Sequence, residues 1–437
     1  MTDNGNHPRP VRTLTVKNFS VIKEAKLEFG KITVLIGPQS SGKSLLSKLA
    51  YFLGPILSDL SATFAASDQS CEQLIEYAKN QFRLWFPPYA WRNSTFSIRY
   101  EEGLYGVSIN ASEARGESII DLSLTENFRD LYEKRNSSIP SSTLRHEDEA
   151  VRSMDMSFRR WNFLYALNIL QGRAKVENSA YVPAGRSFFS NLNSVFEIFK
   201  NENLDPLLKE FAANLDWAST PAGLPLSALK QDVLSAIDVI QGGRFLLKDG
   251  KPMFEDETGV QLPMEMVSSG TQELVPLFRI FSKLIRDSVS ASGSNGSERL
   301  REHFLIVEEP EAHIFPGTQN KLVRIFSQLT NEPWFSISWL ITTHSPYILS
   351  AFNNLIEAGQ AARNNPTLHD AVAKIIPEQY WIKEGDFKAY AIEDGELKSI
   401  LNESGFVEGN YLDQVSETIG DEFDRLIKLE YDHAKAS

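Results

Sequence analysis

The chain has 437 residues, 42% of them hydrophobic, enough to bury one large core with insertions or two domains. With 57 acidic against 44 basic residues the formal net charge is −13, which sets aside a chain-wide affinity for nucleic acid and leaves only a local basic groove. The single cysteine, Cys71, rules out an intramolecular disulfide and a multi-cysteine zinc site; it fits a reducing compartment and reads as a helix-packing residue.

The first ten residues are polar and show no signal-peptide apolar run, and no stretch approaches the roughly 20 apolar residues of a membrane span, so a cytoplasmic protein without membrane contact is expected. Over residues 12–36 the pattern alternates through Leu14, Val16 and Phe19, then Ala25, Leu27 and Phe29, then Ile32, Val34 and Ile36. Three short strands are predicted, the last feeding a glycine turn and then a helix over residues 43–57. Residues 95–124 alternate again around Glu101-Glu102-Gly103, as an antiparallel meander would. Residues 126–171 read as a helical insertion, 180–183 as a brief strand, 190–241 as a second helical arm, and 242–262 as a hairpin turning at Asp249-Gly250.

A closing β/α section begins near Met266. The Ser/Gly-rich run 288–297 is expected to be a mobile connector. Strands at 303–307 and 339–342 alternate with helices at 316–329 and 346–355, the pattern of a parallel sheet in an α/β core. Residues 380–437 hold a small strand pair around Asp394-Gly395 and an acidic helix over 413–431. The whole chain, 1–437, is read as a single domain with insertions.

Gly37-Pro38-Gln39-Ser40-Ser41-Gly42-Lys43-Ser44 fits G-x-x-x-x-G-K-[ST] between a predicted strand and helix. Its glycines let successive N–H groups face a phosphate, with Lys43 reaching the β- and γ-phosphates of ATP and Ser44 offering its hydroxyl to Mg²⁺. Phe304-Leu305-Ile306-Val307-Glu308-Glu309 delivers two carboxylates at the end of a buried strand, where parallel sheets bind ligands: Glu308 for Mg²⁺, Glu309 to polarise the attacking water. Leu340-Ile341-Thr342-Thr343-His344 ends another strand in a histidine that could sense the γ-phosphate or serve as a structural hydrogen bonder. Ser268, Ser269 and Gly270 open a helix, either as a second anion site or as a simple N-cap.

The order of these motifs resembles that of ABC-type ATPases. The resemblance implies an α/β ABC ATPase core with a mainly parallel sheet, an antiparallel β subdomain and helical insertions. It further implies a homodimer, with higher oligomers open, in which the signature Ser268-Ser269-Gly270 of one copy closes on the ATP held by the other. Leu14-Thr15-Val16-Lys17-Asn18-Phe19 is similar to the opening of the SMC/RecF branch. Tyr181-Val182-Pro183-Ala184-Gly185-Arg186-Ser187 and Glu308-Glu309-Pro310-Glu311-Ala312-His313 resemble the overcoming-lysogenization-defect (OLD) family and the ATPase components of anti-phage systems of the PARIS and Septu type.

That likeness implies a partner effector encoded nearby, since the TOPRIM nuclease of OLD proteins needs a D-x-D pair that the last 93 residues lack. Three positions depart from the wider pattern: Ser269 replaces a glycine, Glu308 an aspartate, and Ala184-Gly185-Arg186 the metal-binding glutamine. Arg186 either contacts phosphate or pairs with an acid. A RecF-like DNA clamp is the alternative function, with Arg83, Arg92, Arg159, Arg160 and Arg173 as its local basic surface.

Overall fold

Two kinds of strand build the protein, and their side chains say why. Arg12–Phe19 (β1) and Ile22–Glu28 (β2) alternate buried and exposed residues, whereas Ile32–Ile36 (β3), Glu302–Glu308 (β11) and Ser336–Thr343 (β12) are buried almost end to end. Continuous burial is what a parallel strand with helices on both faces requires. Phe96–Glu102 (β4), Tyr105–Ala114 (β5) and Glu117–Leu124 (β6) form the expected meander, and Glu177–Val182 (β7) the brief strand. The computed structural model describes residues 11–91, 95–114, 117–138, 156, 159–160, 163–164, 177–191, 205–217, 228–249, 251–291, 302–333, 335–409 and 411.

Gly243–Lys248 (β8), Lys251–Asp256 (β9) and Gln261–Pro263 (β10) make a separate three-stranded sheet, one strand more than the hairpin read from sequence. Phe387–Glu393 (β13) and Glu396–Ser399 (β14) are the C-terminal pair. They do not stand apart. The main sheet runs β6-β5-β4-β1-β2-β14-β13-β3-β12-β11-β7, so the pair sits in its middle, β13 parallel to β3 and β14 parallel to β2. The meander therefore extends the same α/β sheet as the parallel strands, and the sheet is mixed.

Period-two alternation splits the central strands between two cores. Phe304 and Ile306 of β11 join one cluster, with Leu14, Val16 and Phe19, while Leu305 and Val307 join the other. Over the first cluster lie Lys43–Leu53 (α1), Asp59–Ala66 (α2), Cys71–Trp85 (α3) and Glu126–Ser138 (α4). Over the second lie Pro206–Trp217 (α5), Ala228–Gln241 (α6), Ser269–Ala291 (α7), Pro316–Asn331 (α8) and Pro346–Asn364 (α9). His369–Ile375 (α10) follows.

The predicted helix over 43–57 stops at Leu53 and tightens into a 3₁₀ turn, Gly54–Leu57, because Pro55 cannot continue the helical ladder. α3, whose range was not read from the sequence, starts at a capping box between Ser70 and Gln73, and Cys71 is buried at its first position. The run Lys43–Ala66 is apolar and long enough to cross a membrane by length and composition, contrary to the sequence expectation, yet 67% of its window is buried inside the fold. Residues 288–291 of the expected connector are the last turn of α7. The rest of that connector, the helix over 413–431 and much of both helical arms lie outside the described residues.

Candidate nucleotide site

Parallel pairing sets the site. Ile36 lies beside Thr343, and Thr342 beside Glu308, so the C-terminal ends of β3, β12 and β11 are level. Motifs far apart in sequence thus share one sheet edge, where parallel α/β sheets bind ligands.

At the end of β3 the loop residues Gly37, Ser40 and Gly42 take φ values of 156°, 60° and 111°. Gly42 takes a φ that side chains rarely adopt, and a Cβ there would stand 2.4 Å from Ile22 Cδ1, which would have to move. Gly42 caps α1 without a side-chain hydrogen bond, which leaves the first-turn N–H groups of the helix open to an anion. Lys43 Nζ donates to the carbonyls of Gly37 and Pro38, each at 2.8 Å. Burial pushes its ammonium below the ordinary lysine range, against the opposing charges of Glu309, Glu311 and Glu308. Ser44 is exposed at the helix start.

Glu308 ends β11 and is buried; one carboxylate oxygen, Oε2, accepts from Ala184 N at 3.3 Å, while Oε1 is buried without a hydrogen-bond partner. An orphaned carboxylate oxygen near Lys43 is the kind of donor that Mg²⁺ takes, with the Ser44 hydroxyl as a second oxygen. Among the described residues no group of three or more His, Cys, Asp or Glu side chains forms another metal cluster. Glu309 turns out of the strand at φ 41°, held by its N–H to Thr342 O at 2.9 Å, and its carboxylate reaches His344 Nε2 at 3.3 Å. The two expected catalytic side chains are brought together.

Glu311 was legible only as part of the Glu308–His313 match. Its Oε1 accepts from Thr343 Oγ1 at 2.8 Å and from His344 N at 2.6 Å, and burial pushes its carboxyl above the usual range. It therefore fixes the backbone that carries His344. The signal available in sequence was a third acid two residues beyond Glu309, at a spacing that folds back over the neighbouring strand.

Arg186 is fully buried beneath this edge. Nε donates to Glu273 O at 3.0 Å, Nη1 to Glu308 O at 2.8 Å and Pro183 O at 3.2 Å, and Nη2 to Glu309 O at 3.2 Å. The Glu273 carboxylate lies 3.4 Å away. Of the two sequence readings of Arg186, pairing with an acid is the one observed, and it joins β11 to the helix that begins at Ser269.

Ser268 caps that helix, accepting from Thr271 N at 3.2 Å, and both Ser268 and Ser269 are exposed. Gly270 is needed because a Cβ would lie 2.9 Å from His313 O, so the helix start rests on the segment after the two acids. Of the arginines expected to form a basic surface, Arg159 is buried against Asp68 at 3.1 Å, whereas Arg160 is exposed and pairs with Asp59 at 3.0 Å. Arg83 is exposed, and Arg92 and Arg173 lie outside the described residues.

Residues 32–350 match the family model described as "AAA domain, putative AbiEii toxin, Type IV TA system", a span that contains every residue of the site. The chain belongs to this AAA family. Among solved structures it is similar to the SMC head domain from Thermotoga maritima, with 11% identity, TM-score 0.36, and 90% of this chain and 99% of that one covered. A dimeric post-hydrolysis state of the ATP-binding cassette MJ0796 bound to ADP and Pi gives 9% identity and TM-score 0.31 over 89% and 99%. The recombination mediator RecF-ATPrS gives 11% and 0.31 over 90% and 100%. No curated protein matches the chain.

Proposed function

We propose that this chain binds ATP with Mg²⁺ and hydrolyses it to ADP and phosphate, through a nucleotide-gated homodimer that controls a partner effector, a nuclease, in cytoplasmic anti-phage defence. The convergence of Lys43, Glu308, Glu309 and His344 at one sheet edge carries the ATPase reading. The loop N–H groups and Lys43 hold the triphosphate, Ser44 and Glu308 offer oxygens to the cation, and Glu309, steadied by His344, takes the proton side of an in-line water. Mg²⁺ would supply charge neutralisation of the phosphates. The dimer reading is supported by exposed Ser268 and Ser269 at a helix start, flanked by exposed Met266 and Phe315, 73% and 79% accessible. The family's description as a toxin of a TA system agrees with a chain that acts alongside a second component.

Two substitutions test the chemistry. Lys43→Ala should weaken ATP binding at least about tenfold while the fold is kept, since it removes charge-assisted hydrogen bonds; unchanged affinity in fluorescent-nucleotide titration would sink the phosphate-loop assignment. Glu309→Gln should bind ATP normally and hydrolyse it about a hundredfold more slowly. If Glu308→Gln, and not Glu309→Gln, gave a bound but stalled state, the roles of the two acids would be reversed. Co-purification with the product of the adjacent gene, with and without ATP, tests the effector.

A further inference from the structure

A cavity of about 290 Å³ lies between α1, α2 and α3 on one side and Ser179 and Glu210 on the other, away from the phosphate loop. At the roughly 30 Å³ per water-sized group of a liquid, it holds about ten such groups. Tyr51, Phe52, Tyr77 and Trp85 supply aromatic walls, and its two charged lining residues are both acids, Asp59 and Glu210. Tyr51, Phe52 and Trp85 are locked against one another, with Tyr51–Trp85 and Phe52–Trp85 centroids at 6.1 and 5.6 Å.

Nearby cations are already engaged. Arg160 holds Asp59 at 3.0 Å, and Lys48 holds Asp205 at 2.6 Å while lying 5.8 Å from the Trp85 ring. Glu210 differs: it lies exposed at the rim of the cavity beside the Tyr51 hydroxyl, and no cation among the described residues pairs with it. A carboxylate without a counter-ion among the described residues, at the mouth of an aromatic-walled cavity, is a site for an organic cation, which gains both the ion pair and the ring faces.

The cavity also reaches the nucleotide site. Tyr51 stands on α1, the helix that opens at the phosphate loop, and packs edge-on against Tyr181 at 5.4 Å. Tyr181 lies on β7 beside Ile306 of β11, two residues before Glu308, and its hydroxyl is buried. A ligand that shifts Tyr51 therefore touches both the loop helix and the environment of the cation-binding acid.

We propose that this cavity is a second ligand site, taking an ammonium or guanidinium group on a short aliphatic stem, and that its occupancy is read at the nucleotide site through Tyr51 and Tyr181. The first half stands without the ATPase reading; the second half rests on it. The group could belong to a free small molecule or to a lysine or arginine side chain of a partner, and both sources are tested.

Calorimetric titration of the full chain, without nucleotide, with butylammonium, agmatine and a short peptide bearing one exposed arginine should show binding in at least one arm, and none with butanol. Glu210→Gln should weaken that binding at least about tenfold with an unchanged melting temperature. Gln81→Lys, which brings an ammonium into the cavity from its own wall, should block uptake of the added cation. No binding up to about 10 mM in any arm, or equal binding by wild type and Glu210→Gln, overturns the site. For the second half, ATP affinity or turnover should change at least about threefold on cation binding in wild type and not in Tyr181→Phe. Cation binding that leaves both quantities unaltered in an active wild type overturns the coupling alone, whereas absent ATP binding overturns the ATPase reading and leaves the site standing.

Discussion

Glu311 shows how much of a candidate site can hide behind the residues proposed to do its chemistry. Lys43, Ser44, Glu308, Glu309 and His344 were legible because phosphate and metal chemistry demand those side chains at those spacings, next to a strand. Glu311 and Arg186 act on backbone atoms of residues distant in sequence, His344 N in one case and the carbonyls of Glu308 and Glu309 in the other. No spacing rule encodes such contacts; only the parallel register brings them about. Glu311 is thus a positioning residue, and its removal should act on turnover. Glu311→Ala leaves two buried donors without an acceptor, a loss of about 1–3 kcal/mol in stability, and should lower kcat about tenfold with little change in KM for ATP. Glu311→Gln keeps an amide oxygen at the same distance and should restore most of the rate. A Gln variant as impaired as the Ala variant would mean that the negative charge, and not the anchoring of His344, is what matters.

At the level of elements the sequence was readable where a strand or helix is uniform and unreadable where tertiary pairing decides. The continuous apolar runs of β3, β11 and β12 announced a parallel core, and the alternation of β4, β5 and β6 announced a meander. That β13 and β14 would splice between β2 and β3 could not be read, since strand order is set by which edges are free when the chain returns. The helix that begins at Ser269 is likewise tied to β11 by a bond invisible in sequence: Arg186 grips the carbonyls of Glu308 and Glu309 on one side and Glu273 on the other. Burial lowers the guanidinium's pKa, and the Glu273 charge is the largest influence opposing it, so the pair is mutually dependent. Arg186→Ala would leave Glu273 buried and uncompensated and should cost about 3–5 kcal/mol in denaturant unfolding. Arg186→Ala with Glu273→Leu, which removes both charges, should recover much of that loss. Failure of the double variant to improve on the single one would assign the cost to the carbonyl contacts alone.

For the whole molecule, the question is why the proposed signature and the phosphate loop occupy one chain. Ser268 is exposed, is bonded within its own helical turn, and opens a helix whose start rests on His313 rather than on the phosphate loop. If the signature serves the partner's triphosphate, each site is built from two copies and the two kinds of defect must complement. Ser268→Arg places a bulky cation at the helix start, where it blocks approach of the second copy while Lys43 of its own chain still holds ATP. It should bind nucleotide, remain monomeric with ATP in light scattering, and fail to turn over. Glu309→Gln should dimerise with ATP and also fail to turn over. In an equal mixture, a heterodimer pairs the intact loop and acids of the Ser268→Arg copy with the intact signature of the Glu309→Gln copy, so one complete site exists and turnover should return. The other site of that heterodimer carries both defects and stays silent, so the recovered rate should not exceed about half that of the wild-type dimer if the sites work independently. A Ser268→Arg variant that is monomeric and fully active by itself would show that one copy completes its own site.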